Sequence, residues 1–327
     1  MAIIGLGKMG LLHASLLKVL PDVDLVGICD KSSLLTRIGK KVFEPINVTV
    51  VNDIEKFADL DLDAVYITTP ISSHFSLANT LVTQNIARNV FCEKTLTSSY
   101  KESKMLTETA EKVEGVTMVG YMKRLSIIFR KAKQLLDQKE LGEVLSFKAF
   151  AYSSDFQGLA KESKSSAARG GALRDIGCHV IDLGLWLLGD FEPTEVKSCI
   201  KTEADAETSV SFTVSNSDGV NGLFEVSQTM ANYRLPEFGL LIECSKGNIN
   251  VNDDRIFAAW NDGLVKKWYK QDLDDSVPFF LGETEYFRED RLFVDALKNH
   301  AAVKPAFAEA AKVDHLIEQV KALEAPQ

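Results

Sequence analysis

The sequence predicts a two-part α/β protein: a parallel sheet covered by helices on both faces, then one antiparallel or mixed sheet. Two observations carry this. Up to Tyr121, short apolar runs alternate with amphipathic helical stretches. After it, strand-like runs follow one another with glycine-containing turns between them. Strands separated by helices form parallel pairs, whereas strands joined by tight turns form antiparallel ones. The expected division is 1–122 and 123–327, two domains being the ordinary number for 327 residues.

In the first part, Ala2 to Ile4 reads as a strand and Leu11 to Leu20 as a helix that stops at Pro21. Its apolar face is taken as Leu12, Leu16, Val19 and Leu20, with Ser15 among them. Strands are expected at Asp24 to Cys29, Val48 to Val51, Ala64 to Thr68, Asn89 to Cys92 and Val116 to Val119. Helices are expected over Ser32 to Lys41 and Ser99 to Val113, the latter with Met105, Leu106, Ala110 and Val113 inward. In the second part, Ile127 to Leu136 is an amphipathic helix. Strands are expected at Glu143 to Tyr152, Glu195 to Thr202, Ser209 to Ser215, Gly222 to Thr229, Gly239 to Cys244, Ile256 to Trp260 and Val265 to Tyr269. The triplets Ser217-Asp218-Gly219 and Asn261-Asp262-Gly263 fit hairpin turns. Alternation implies a sheet with one face buried by helices and the other solvated or in a subunit interface. Helices near Glu285 to Asn299 and Ala308 to Leu323 close the chain.

Composition narrows the function. Apolar residues make up 46%, charged residues 25%, and the net charge is −9. That is ordinary globular composition without a basic run, which argues against nucleic acid and anionic membranes as partners. Five scattered cysteines without a CxxC fit a reducing cytoplasm, not a disulfide or zinc scaffold. Met1 to Gly5 does not read as a signal peptide. The uncharged stretch Ala64 to Ala87 is too polar to span lipid and is broken by Pro70.

Four segments carry chemistry. Gly5-Leu6-Gly7-Lys8-Met9-Gly10 lies between a strand and a helix, with Asp30 twenty residues beyond Gly10 at the end of the second strand. Such glycines permit a tight turn, close approach of a pyrophosphate and close helix packing, and the acid binds a ribose. The helix start offers N–H groups to phosphates. A carboxylate at Asp30 would repel a 2′-phosphate by roughly 4 kcal/mol at 4 Å and an effective dielectric of 20, so NAD is favoured. Lys31 softens that penalty and leaves NADP open. Thr69-Pro70, with His74 beyond, ends a buried strand where such sheets bind ligands; His74 fits a helix start equally well. Glu93-Lys94 follows another strand, and Lys94 is placed to stabilise a developing alkoxide or to form a surface ion pair. In Gly170 to Asp182, helical spacing puts Asp175, His179 and Asp182 on one face, a general-base arrangement. A structural His179 stays open; a metal site is discounted, since HExxH is absent.

Together these segments resemble the Gfo/Idh/MocA oxidoreductases, over nearly the whole chain. Further points of likeness are Gly120 to Arg124, Leu141-Gly142-Glu143-Val144, Trp186-Leu187-Leu188-Gly189 and the helix from Tyr286 to Asn299. The resemblance implies an N-terminal Rossmann domain for the dinucleotide and a C-terminal α/β domain for substrate and oligomerisation. That second domain carries a large open, mainly antiparallel sheet through which homo-dimers or homo-tetramers form. It implies that Gly5, Gly7, Lys8, Met9, Gly10, Asp30, Lys31, Thr69, Pro70, His74, Glu93 and Lys94 bind cofactor. Lys94, Asp175 and His179 are the implied catalytic residues. Substrate would touch these three together with Tyr121 and Arg124, between the domains. The sequence departs from the family in reading Glu93-Lys94-Thr95 for Glu-Lys-Pro, in placing Met122 where asparagine is usual, and in shortening a glycine run to Ala168-Arg169-Gly170-Gly171. Arg169 and Arg174 are then anion contacts or surface salt bridges. Tyr152, Asp155, Tyr233 and Arg234 are further candidates for substrate specificity.

The expected function is hydride transfer between NAD, with NADP open, and a secondary alcohol of a sugar, sugar nucleotide, inositol or similar polyol. Two alternatives are NAD-dependent glycoside cleavage through transient oxidation and a non-enzymatic, cofactor-bound regulator. Retention of Lys94 and His179 argues against the regulator.

Overall fold

The computed structural model describes residues 1–155, 169–202, 205–275, 277 and 284–324; Ala168 of the shortened glycine run lies outside them. The chain divides into two compact units, Met1–Tyr121 with Leu281–Asp314, and Met122–Phe280 with His315–Gln327.

The first unit holds a parallel sheet of β1 (Ala2–Ile4), β2 (Gly27–Cys29), β3 (Thr49–Val51), β4 (Val65–Ile67), β5 (Val90–Cys92) and β6 (Thr117–Val119). Their order is β3-β2-β1-β4-β5-β6. β1, β2, β4 and β5 are buried at every position, which explains their purely apolar sequences. Connecting helices are α1 (Lys8–Val19), α2 (Ser33–Phe43), α3 (His74–Thr83) and α4 (Tyr100–Lys112). Ser32 caps α2 by accepting the Leu35 N–H, and Ser99 caps α4 by accepting that of Glu102. The strand order reverses between β1 and β4, and ligands of such sheets bind outside the strand ends at that point.

α1 turns another face inward than expected, and α4 departs in part: Leu106 and Ala110 are buried as expected, but Met105 is not. α1 buries Gly10, His13, Ala14 and Leu17, whereas Val19 is exposed. α4 buries Ser103, Leu106 and Ala110, and Met105 is exposed. Both faces follow the i, i+3 or i+4, i+7 rule and join small or polar side chains to a single leucine each, Leu17 and Leu106. Val19 and Met105 lie outside those lines.

The second unit is built on an eight-stranded sheet. Its strands are β7 (Val144–Tyr152), β8 (Glu192–Lys201), β9 (Glu207–Ser215), β10 (Asn221–Ser227), β11 (Glu237–Cys244), β12 (Gly247–Asn252), β13 (Arg255–Trp260) and β14 (Val265–Tyr269). The order is β14-β13-β12-β11-β7-β10-β9-β8. β7 and β10 pair in parallel; the other neighbours are antiparallel. The two glycine triplets form the β9–β10 and β13–β14 turns, with Gly219 and Gly263 at φ +83° and +95°. β12 was not expected, because Asn248, Asn250 and Asn252 disguise a strand that buries Ile249 and Val251. Helices α5 (Ile127–Asp137) and α6 (Cys178–Leu188) cover the face carrying Phe147, Phe212, Phe224, Leu240 and Ile242. The opposite face carries Phe150, Tyr152, Ser211, Thr213, Leu241 and Tyr269. The closing helices are α7 (Thr284–Lys298) and α8 (Phe307–Glu324). Among the described residues, no helix is long and apolar enough to cross a membrane.

Candidate functional site

The three glycines after β1 have separate reasons to be glycine. Gly5 has φ +102°, and a Cβ there would lie 2.8 Å from Thr69 Cγ2. A Cβ on Gly10 would lie 1.8 Å from the Gly5 carbonyl oxygen, so helix and turn touch directly. A Cβ on Gly7 would meet nothing within 4 Å. Gly5 supplies the conformation, Gly10 the close packing, and Gly7 the open side for an approaching ligand. α1 has neither a side-chain cap nor an acid in its first turn. Lys8 is exposed and Met9 half-buried at this start.

Asp30 is fastened to the same turn. Its Oδ2 accepts the Leu6 N–H and its Oδ1 the Ser32 N–H, each at 2.7 Å. Beside it opens a groove of about 980 Å³ lined by Gly7, Asp30, Lys31, Asp53, Thr69 and Pro70, among others. An open glycine, a helix start without a competing acid and an oriented carboxylate fit a dinucleotide's pyrophosphate and ribose.

His74 is not a lining group of this groove. Its Nε2 lies 2.7 Å from the Thr69 carbonyl oxygen and its Nδ1 3.0 Å from that of Thr95, with the ring buried. Burial also holds its pKa below the ordinary value. His74 therefore braces the loop after β4 against the loop after β5. Glu93 likewise faces inward: Oε1 is 3.2 Å from His13 Nε2, and Oε2 accepts the Lys94 N–H at 3.1 Å. Burial opposes its ionisation, yet His13 and Lys94 hold its pKa below the ordinary carboxylate value. Lys94 itself is half-buried, and the Lys94–Thr95 peptide is cis. Tyr121, expected at substrate, is a core side chain, 1% exposed.

In the second unit, Asp175 lies on a turn of π-helix, Leu173–Gly177, and His179 and Asp182 lie on α6. Asp182 is buried and forms a two-pronged pair with Arg124, Nε to Oδ2 at 2.7 Å and Nη2 to Oδ1 at 2.5 Å. Arg124, expected to bind substrate, is one half of that pair. Asp175 Oδ2 instead accepts from Gln228 Nε2 at 2.8 Å and Arg169 Nη1 at 3.1 Å. His179 is nearly buried, its ring edge-on to Phe238 at 5.3 Å. The Lys123 ammonium lies 5.0 Å from that same phenyl ring and 2.8 Å from Asp253 Oδ1. Arg174 pairs with Glu318 at 3.8 Å. Tyr152 donates to Glu225 and packs on Tyr233; Asp155 lies near Arg169, and Arg234 is exposed. His13, Lys123 and Gln228 were not singled out in the sequence, since their partners lie far away along the chain.

Residues 1–121 match the model for the oxidoreductase family with an NAD-binding Rossmann fold, and residues 129–250 the GFO/IDH/MocA C-terminal domain. The chain belongs to the Gfo/Idh/MocA oxidoreductase family. It is similar to scyllo-inositol 2-dehydrogenase (NAD(+)) of Bacillus subtilis (strain 168), 29% identical over 58% of this chain and 53% of that protein. That match thus spans about half the length of the relative. Inositol 2-dehydrogenase of Rhizobium meliloti (strain 1021) is 24% identical over 93% of this chain and 90% of its own. Among solved structures, levoglucosan dehydrogenase in complex with NADH and L-sorbose superposes with a TM-score of 0.84 at 21% identity, covering 99% of this chain and 96% of that one. The family assignment, the parallel sheet, the second mainly antiparallel sheet and the NAD-binding character of the first domain agree with the reading of the sequence.

Proposed function

We propose that the protein is an NAD-dependent dehydrogenase acting on a secondary alcohol of a sugar, sugar nucleotide, inositol or similar polyol. The observation that carries this reading is the glycine turn with Asp30 fastened to it, in a chain similar to two inositol dehydrogenases. NAD, when bound, supplies the hydride acceptor. The open side at Gly7 admits the pyrophosphate, and Asp30 receives the adenosine ribose hydroxyls. Lys94 stabilises alkoxide character on the substrate oxygen. His179 takes the hydroxyl proton, a role suited to an imidazole, which can both accept and donate a proton. Asp175, steadied by Gln228 and Arg169, orients the substrate.

The open face of the eight-stranded sheet, with Phe150, Leu241 and Tyr269 on it, supports assembly into homo-dimers or homo-tetramers. The five free cysteines support a cytoplasmic location.

The test is NADH formation with a panel of inositols, free sugars and sugar nucleotides, with product analysis. Stoichiometric ketone and NADH support the dehydrogenase. Cleaved glycoside without net NADH, or no turnover on any member, contradicts it.

A further inference from the structure

A buried charged cluster in the first unit surrounds His13, on the helix that follows the glycine turn. His13 Nδ1 lies 2.7 Å from Asp290 Oδ1 on α7, and Nε2 lies 3.2 Å from Glu93 Oε1 after β5. His13 and Asp290 are wholly buried and Glu93 nearly so. Two carboxylates facing the two ring nitrogens call for two N–H donors, and a neutral imidazole has only one. The rings of Tyr66, Phe91 and Tyr286 close the remaining sides, at 5.5, 5.1 and 6.3 Å from the imidazole. Other titratable groups coupled to the cluster are the Tyr66 hydroxyl at Asp290, Glu289 at Tyr66, and Lys94, His74 and Cys92 at Glu93.

Burying three charges is a costly way to fill a core. Apolar side chains of the same volume often give equal or greater stability. What this arrangement supplies is direction. Glu93 Oε2 accepts the Lys94 backbone N–H, and a Cβ on Gly120 would sit 3.3 Å from the Glu93 carboxyl carbon, so the carboxylate is enclosed on that side too. A continuous link therefore runs from α1 through His13 and Glu93 to the main chain of Lys94.

We propose that His13 is a positioning residue for Lys94, acting as an imidazolium that holds the Glu93 carboxylate and through it the lysine loop. The effect on turnover rests on the dehydrogenase reading above; the charge state and the geometry of Lys94 do not. Burial alone would lower the His13 pKa, but Asp290 and Glu93 raise it well above the ordinary histidine value, which agrees with the geometry.

Three readouts test this on the full chain. The first is a pH titration of ¹⁵N-histidine-labelled protein by NMR, with His13 assigned by its absence in His13→Gln. Both ring nitrogens are expected to stay protonated at pH 7.5, where an ordinary histidine is neutral; a neutral His13 at that pH overturns the proposal. The second is the rate at which cyanate carbamylates Lys94, followed by mass spectrometry without cofactor or substrate. His13→Leu is expected to change it at least threefold, and His13→Gln, which keeps a donor toward Glu93, to change it less. An unchanged rate in a folded His13→Leu, or in His13→Asn if the leucine variant does not fold, overturns the proposal. The third is steady-state turnover. A kcat loss of at least 30-fold in His13→Leu, with the KM for NAD within threefold and partial recovery in His13→Gln, supports positioning; a kcat within threefold of wild type in a folded variant overturns it. If the wild-type protein turns over no alcohol, the dehydrogenase reading fails, and the first two readouts still decide the role of His13.

Discussion

The Asp30 carboxylate accepts the Leu6 N–H at 2.7 Å, so the acid at the end of β2 and the glycine turn after β1 are mechanically one object. Its second oxygen is held by the Ser32 N–H, also at 2.7 Å. An acid fixed in this way presents negative charge at a defined place beside the groove, where a 2′-phosphate would be repelled. Asp30→Ala is expected to shift the ratio of NADP to NAD affinity by at least about tenfold, or ~1.4 kcal/mol. Titration of both nucleotides by intrinsic fluorescence measures it, and an unaltered ratio removes Asp30 from ribose recognition.

Gly7 and Gly10 should separate binding from folding. An added methyl at Gly10 meets a backbone carbonyl oxygen at 1.8 Å, whereas one at Gly7 meets only open space. Gly10→Ala is expected to lower stability by about 1–3 kcal/mol, the usual cost of overpacking. Gly7→Ala should melt like the wild type yet bind NAD more weakly, because the methyl stands where the pyrophosphate approaches. Thermal melts with and without NAD distinguish the two; equal behaviour of both variants contradicts the division of roles.

His179→Ala is expected to cut turnover by about 10²–10⁴-fold, the range for loss of a general base. NAD affinity should stay within threefold, since the glycine turn and Asp30 are untouched. Turnover within threefold of wild type would return His179 to a purely structural role.

Arg124 and Asp182 bury opposite charges against each other. Arg124→Met leaves a buried carboxylate without its partner and should cost about 3–5 kcal/mol. Replacing both, as Arg124→Met with Asp182→Leu, should recover most of that loss. Urea unfolding measures both, and a double variant as unstable as the single one contradicts the pairing.

The His13 cluster also predicts a direction for the pH dependence of stability. A pKa raised in the folded state means the folded protein binds a proton that the unfolded chain releases. The stabilisation is present in full below about pH 6.5 and declines by up to ~1.4 kcal/mol per pH unit as pH rises toward the folded value. The alkaline slope of unfolding free energy against pH should flatten in His13→Gln. A slope identical to wild type separates the cluster from this effect.

Local patterns carried most of the fold to the surface of the sequence. The glycine turn, the apolar runs of the parallel strands and the Asp-Gly turns each need only a few neighbouring residues, and each stands where expected. What escaped depends on partners distant in the chain. His13 lies 277 residues from Asp290, and Arg124 lies 58 from Asp182, so no spacing announces either pair. The π-helical turn at Leu173–Gly177 was not legible in the sequence, and it places Asp175 before the regular helix that carries His179 and Asp182. β12 was hidden because asparagine is a poor strand former, although the alternation around Ile249 and Val251 was present. α1 was turned the wrong way because Gly10, His13 and Ala14 face inward with Leu17, in place of the expected Leu12, Leu16 and Val19.

The most direct measurement is calorimetric titration of NAD and NADP into protein stripped of nucleotide. The account predicts one site per chain, with NAD bound at least tenfold more tightly than NADP and that preference lost in Asp30→Ala. Absence of binding by either nucleotide, or tighter binding of NADP, would contradict the assignment of the glycine turn and Asp30 on which the proposed chemistry depends.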